Sequence, residues 1–175
     1  MPKIISPFPP IKWIGFDVDG VMTDGGIILD DDGKESKRFN SRDGHGIKML
    51  VRAGLRVAII TGRRSGVVEH RAREIGITEV HQKASDKLAV YERVLRDNGL
   101  KPEETAFAGD DIVDLPILIR CGLAMAPGDA VPEVLRRAHM VTQAKAGHGA
   151  VREMVEYVLS GLGLWEKALN PYLAQ

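Results

Sequence analysis

Apolar and polar positions in this chain of 175 residues alternate in blocks of changing period. Trp13-Ile14-Gly15-Phe16 is a short apolar run ending in Asp17, and comparable runs recur at Arg56 to Ile60, Thr105 to Ala108, Leu123 to Ala126 and His139 to Thr142. Short apolar runs without alternation read as strands buried on both faces. Between them the apolar spacing lengthens to about 3.6 residues, the helical period. Ile47, Leu50 and Val51 precede Gly54; Val67, Val68 and Ile75 precede Gly76; Leu88, Tyr91 and Leu95 precede Gly99. A glycine just past the last apolar position marks a helix end. A fourth helix is expected through Leu115 and Leu118 to Gly122, and a fifth carries Val151, Met154, Val155 and Val158 up to a stop at Gly161. Strand and helix alternate, so the expected fold class is α/β, a doubly wound, mostly parallel Rossmann-like sheet.

One segment breaks the alternation. Gly26 to Leu29, Asp30 to Gly33 and Glu35 to Phe39 read as strand, turn and strand, a β-hairpin over about residues 24–41 inserted after the first strand. No repeat or interdomain linker is visible, so residues 1–175 are expected to form a single domain. Residues 1–10, with Pro7, Pro9 and Pro10, read as an extended N-terminal arm. Residues 161–175 form a C-terminal tail with a short helix, Leu164 to Leu169, stopped by Pro171.

Composition then excludes several classes. Lys plus Arg and Asp plus Glu both count 24, so no net field draws in nucleic acid or an anionic membrane. The lone Cys121 rules out an intrachain disulfide framework and a cysteine-rich zinc module. No apolar run approaches bilayer length, and a soluble cytoplasmic protein is expected.

The chemistry sits where strands end. Asp17-Val18-Asp19-Gly20 follows the first strand, at the carboxyl end where open α/β sheets bind ligands. A calcium loop would need Asp or Asn at Val21, Gly at Met22 and Glu at Ile28, and all three positions fail. Asp110, Asp111 and Asp114 follow the strand Thr105 to Ala108, so five carboxylates are expected to converge. Such a cluster repels itself unless a cation neutralises it, and an all-oxygen set suits Mg²⁺ better than zinc. Thr61-Gly62-Arg63 follows the strand Arg56 to Ile60 and offers a hydroxyl, backbone amides and a guanidinium to phosphate oxygens. Lys87 stands at the start of a helix, after an expected N-cap at Ser85, and opposes the helix dipole.

In this order, Asp17-x-Asp19, Thr61, Lys87 and Asp110 to Asp114 resemble the four motifs of the haloacid dehalogenase superfamily of phosphotransferases. The resemblance implies that Asp17 attacks phosphorus and that Asp19 serves as acid and base. It also implies Mg²⁺ held by Asp17, the Asp19 backbone carbonyl and Asp110. Asp111 or Asp114 would act through water or orient Lys87, with Thr61 and Lys87 on the phosphoryl oxygens. Neither gap that commonly holds a cap domain is long enough for one. An open site of this kind is closed by another subunit or accepts a macromolecule, and the apolar hairpin edge at Ile27, Ile28 and Leu29 favours assembly. The expectation is a homotetramer in which a neighbour's hairpin, with or without its tail, walls the site.

Finer motifs narrow the resemblance. Asp17 to Gly25, Arg42-Asp43-Gly44-His45-Gly46-Ile47, Gly109 to Pro116 and Gly147-His148-Gly149-Ala150-Val151-Arg152-Glu153 look like the 3-deoxy-D-manno-octulosonate 8-phosphate phosphatase family of lipopolysaccharide sugar synthesis. This implies a small phosphorylated sugar acid as substrate, touched by Thr61, Gly62, Arg63, Lys87, Asp43, Gly44 and His148. His148 stands where that family is expected to carry arginine. Phosphatases of 9-phosphorylated nonulosonates, and phosphatase-like domains attached to some cytidylyltransferases, share much of the pattern. Outside enzymes, a phospho-acceptor receiver uses similar groups, but in a different order along the chain. A silent oligomerisation scaffold would not need intact Asp17, Asp19, Lys87 and Asp110.

Overall fold

The computed structural model describes residues 4–173. Its strands are β1 (Trp13–Phe16), β2 (Ile28–Leu29), β3 (Glu35–Ser36), β4 (Arg56–Ile60), β5 (Glu79–His81), β6 (Thr105–Ala108), β7 (Leu123–Ala126) and β8 (Met140–Val141). The helices are α1 (Ser41–Arg52), α2 (Gly66–Ile75), α3 (Lys87–Asn98), α4 (Leu115–Leu118), α5 (Pro132–Leu135), α6 (Ala150–Gly161) and α7 (Trp165–Leu173). Six strands form one parallel sheet in the order β5-β4-β1-β6-β7-β8, and β2 pairs antiparallel with β3 as a separate ribbon.

Alternate residues of each strand feed opposite faces. Ile14, Phe16, Val57, Ile59, Leu123 and Met125 meet α1, α2 and α6 on one side. Trp13, Ala58, Ile60, Phe107, Ala124 and Ala126 meet Tyr91 and Val94 of α3, Ile117 of α4 and Val134 of α5 on the other. Each large side chain fully buried in this way contributes about 1.5–3 kcal/mol. The chain winds outward from β1 to β4 and β5, then crosses with α3 on the opposite face to β6. The order of strands therefore reverses between β1 and β6, and the crevice beyond their carboxyl ends is where such sheets bind ligands.

Helix ends follow local chemistry. The Asn40 side chain caps α1 by accepting from the N–H groups of Arg42 and Asp43, and left-handed Gly76 and Gly99 close α2 and α3 as their positions predict. Other expectations are corrected. The cap of α3 is Asp86, not Ser85; its carboxylate accepts from Ala89 N–H at 3.0 Å. The helix expected to reach Gly122 is a 3₁₀ turn, Ile112–Asp114, followed by α4, which ends at Leu118. α6, by contrast, ends at Gly161 as expected, with Leu162 as its cap, and glycine is required there because a Cβ would come within 2.2 Å of the Phe8 ring. Pro171 does not stop the last helix; it lies within α7, beside Leu164, Ala168 and Tyr172 against α1. One lost backbone hydrogen bond in an exposed final turn is tolerated there.

The N-terminal arm is docked. Residues 4–10 form no regular element, yet Ile4, Ile5 and Phe8 pack on the core and Ile5 N–H donates to the Tyr157 hydroxyl at 3.1 Å. Residues 1–3 of the expected arm and 174–175 of the expected tail lie outside the described residues. The hairpin is shorter than its pattern, pairing Ile28 with Ser36 and Leu29 with Glu35. The last strand is likewise shorter than His139 to Thr142.

Candidate active site

The site is built where β1 and β6 end. Asp17 continues the ladder, its N–H donating to the Ala108 carbonyl at 2.9 Å. The N–H groups of Val21, Met22 and Thr23 then all turn back onto the Val18 carbonyl. This knot leaves Asp17 at the floor of the crevice, buried, with Asp19 on the rim. Gly20 is required in it: its φ is +92°, and a Cβ would stand 2.0 Å from an Asp110 carboxylate oxygen. Gly109 plays the same part after β6, where a Cβ would meet Asp114 at 2.4 Å.

Lys87 reaches the floor from the first turn of α3. Its Nζ lies 2.9 Å from Asp17 Oδ1 and donates to Asp114 Oδ1 at 2.7 Å. Asp114, fully buried, also accepts from the N–H groups of Asp110 and Asp111 through Oδ2. It thereby fixes both Lys87 and the loop that carries Asp110. Thr61 and Gly62, after β4, line the same cavity of about 250 Å³ together with Asp17, Asp19, Arg63, Ala84, Ser85, Lys87 and Val113.

Carboxylate oxygens of Asp17, Asp110 and Asp114 lie within 4.8 Å of one another. Burial and the nearby Asp114 charge push Asp17 up to about 6 against the pull of Lys87. Burial, then the charges of Asp17, Asp114 and Asp111, push Asp110 up to about 7. For Lys87, burial works downward, but Asp17 and Asp114 outweigh it and hold the ammonium above its ordinary range. One Asp110 oxygen, Oδ1, is buried without a hydrogen-bond partner. A hard divalent cation answers all of this: it takes oxygen ligands and relieves the crowding of like charge. The residues fit Mg²⁺.

Not every expected residue joins the cluster. Asp111 is exposed, and its carboxylate is turned to Ile112 N–H at 2.7 Å, so three carboxylates rather than five meet. Asp43 and Gly44 lie at the start of α1, outside the cavity lining. Asp43 Oδ1 accepts from Arg152 N–H at 2.8 Å and ties α1 to α6, while Gly44 makes room for Arg71. Burial raises the Asp43 carboxyl against its backbone hydrogen bonds from Arg152 and Gly149. His148 is also absent from the lining; its Nδ1 lies 2.8 Å from the Ala146 carbonyl oxygen, in the loop before α6.

The structure adds two residues that the sequence pattern passed over. Lys37, just after β3, makes an ion pair with Asp19, and Glu35 of β3 pairs with Lys37 at 3.3 Å and Arg63 at 3.0 Å. Burial pushes Glu35 up, but hydrogen bonds from Ser65, Arg63 and Lys37 prevail and hold it below its ordinary range. The signal was present as alternation, since Glu35 and Lys37 share one face of a strand. The hairpin that touches this site belongs to the same chain.

A family model described as haloacid dehalogenase-like hydrolase matches residues 66–154. Over 156 residues the chain is 48% identical to the 3-deoxy-D-manno-octulosonate 8-phosphate phosphatase of Yersinia pestis, covering 89% of this chain and 83% of that protein. The chain belongs to that phosphatase family. Solved structures agree with the assignment. A probable YrbI family phosphatase from Pseudomonas syringae superposes with a TM-score of 0.93 at 45% identity over 95% of both chains. The 3-deoxy-D-manno-octulosonate 8-phosphate phosphatase of Moraxella catarrhalis, solved with magnesium, phosphate and 3-deoxy-D-manno-octulosonate (KDO), gives 0.91 at 32% identity over 94% of both chains. As a member of this family, the chain is a phosphatase on a capless α/β core. Among the described residues, no helix is long and apolar enough to cross a membrane.

Proposed function

We propose that this phosphatase hydrolyses 3-deoxy-D-manno-octulosonate 8-phosphate, a small phosphorylated sugar acid, in the cytoplasm, as a step toward lipopolysaccharide sugar. The observation that carries the reading is the buried chain Asp17–Lys87–Asp114 beside Asp110. It presents one carboxylate with a fixed orientation at the floor of a polar crevice, where a nucleophile for phosphorus has to stand.

In this reading Lys87 holds Oδ1 of Asp17 and leaves its other oxygen to attack phosphorus in line. The phosphorus–alkoxide bond breaks as Asp19 gives its proton to the leaving oxygen, and an aspartyl-phosphate remains. Asp19 then takes a proton from water as that water attacks phosphorus, which frees Asp17 and inorganic phosphate. Thr61, Gly62 and Lys87 bind the phosphoryl oxygens, and Arg63 stands at the rim toward the sugar acid. Asp17, the Asp19 carbonyl and Asp110 are assigned to the magnesium ion, whose contribution when bound is to cancel charge between a carboxylate and a phosphate dianion. Phosphate release is expected to need Mg²⁺ and to favour the 8-phosphate of the octulosonate over a 9-phosphorylated nonulosonate. Preference for the nonulosonate would keep the chemistry and replace the substrate.

The assembly proposed is a homotetramer. Ile27, Ile28 and Leu29 are each about half exposed on the hairpin, an apolar edge that a neighbouring copy would cover. Light scattering is expected to give the tetramer mass, and a double change, Ile28→Lys with Leu29→Lys, to lower it. An unchanged mass in that variant would remove the hairpin from the interface.

A further inference from the structure

The hairpin does more than border the crevice: it carries an ammonium group to Asp19. The Lys37 side chain is 1% exposed, with Asp19 on one side and Glu35 at 3.3 Å on the other. Arg63 approaches the second Asp19 oxygen at 3.7 Å, but its side chain is 47% exposed. A buried lysine is costly unless paired, and here its pairs are one carboxylate of the hairpin and one of the site. An exposed arginine at 3.7 Å is a looser and more screened contact. The buried Lys37 therefore decides where the Asp19 carboxylate points, and Glu35 decides where Lys37 points. Glu35 is itself braced by Arg63 and Ser65.

We propose that Lys37 is a positioning residue for the acid–base step: carried by the hairpin, it holds Asp19 in the rotamer from which the carboxyl group meets the leaving oxygen. The proposal rests on the reading of Asp19 as acid and base. It makes the order of the hairpin, which lies outside the catalytic strands, a condition for proton delivery.

Leaving-group dependence tests it. An alkoxide needs a proton as it departs, whereas p-nitrophenolate leaves without one, so an acid that is present but misaimed slows only the first ester. The rate of alcohol release in the first turnover is the quantity to measure, because later hydrolysis of the phosphoenzyme is common to both esters. Lys37→Met is expected to slow release from the sugar-acid 8-phosphate by at least about tenfold and from p-nitrophenyl phosphate by less than about threefold, within the range of general acid catalysis. Lys37→Arg is expected to recover most of the loss. Equal losses on both esters, or none on the sugar ester, would overturn the positioning role. Asp19→Asn, measured alongside, separates the premises: without a split of its own, the acid role of Asp19 fails. If Asp19→Asn splits the esters and Lys37→Met does not, only the role of Lys37 fails.

Discussion

Asp17→Asn is expected to lower turnover by about four orders of magnitude or more, the scale on which removing a nucleophile acts, while the folded structure persists. The two halves of this prediction have separate causes. An amide oxygen is too weak a nucleophile to form the acyl phosphate, so no labelled phosphoenzyme should be trapped when the variant meets labelled substrate. Folding, by contrast, loses little. Asp17 is held above its ordinary range, first by burial and then by the charge of Asp114, so its ionised form is an electrostatic burden on the Mg²⁺-free fold. A neutral amide of the same shape lifts that burden, and Lys87 keeps Asp114 as its partner at 2.7 Å. The thermal midpoint of the variant without metal should match or exceed that of the parent. Turnover within tenfold of the parent would dismiss Asp17 as the nucleophile, and a collapsed melting curve would make the loss of activity uninformative about chemistry.

The parts of this molecule that were readable in advance are those set by local pattern. The apolar runs Trp13 to Phe16, Arg56 to Ile60, Thr105 to Ala108 and Leu123 to Ala126 coincide with β1, β4, β6 and β7, since a strand covered on both faces keeps polar residues, such as Arg56 and Thr105, to its ends. Elements without that pressure were missed or overrun. The half-buried three-residue edge strand β5 presents Glu79 and His81 among its residues, and the four-residue α5 is too short to show a period. Pro171 misleads for a different reason: its meaning depends on a tertiary neighbour, α1. The site divides in the same way. Asp17, Thr61, Lys87 and Asp110 follow strands or open a helix, so topology alone brings them to one crevice. Lys37 arrives from an insertion: alternation puts it on one face with Glu35, but no spacing says that this face meets Asp19. Asp43 lies in a distinctive motif that suggests a substrate contact, and in the fold its Oδ1 accepts from the first turn of α6 while its Oδ2 is buried without a hydrogen-bond partner.

Asp110→Asn should stabilise the Mg²⁺-free protein at pH 8 and abolish the stabilisation that Mg²⁺ gives to the parent. Asp110 is held up to about 7 from an ordinary 3.8 by burial and by the charges of Asp17, Asp114 and Asp111. A folded-state value above the unfolded one means that the fold favours the protonated form. The resulting penalty is absent below about pH 4, grows between there and about pH 7, and is complete above that. Each pH unit of displacement corresponds to about 1.4 kcal/mol before solvent screening, and a half-buried carboxyl retains only part of it, of order 2 kcal/mol here. For a chain of this length that is about 4–8 °C in the thermal midpoint. The gain of the variant over the parent should therefore be present at pH 8 in a chelator and shrink toward pH 5. In the parent, Mg²⁺ should recover the same loss at pH 8, because a ligand that binds only the folded state stabilises it by mass action. Its apparent affinity should weaken as pH falls through 7 and then 6, where Asp110 and Asp17 in turn take up protons that compete with the metal. In the variant, one anionic oxygen donor is gone and the buried position of Asp110 Oδ1 is filled by a neutral amide, so Mg²⁺ should leave the midpoint unmoved. Scanning calorimetry of both proteins at pH 5 and pH 8, with Mg²⁺ or with chelator, gives all the quantities. A Mg²⁺ response in the variant as large as in the parent would place the ion elsewhere, and a variant destabilised equally at both pH values would mean that Asp110 serves the fold by hydrogen bonding rather than burdening it with charge.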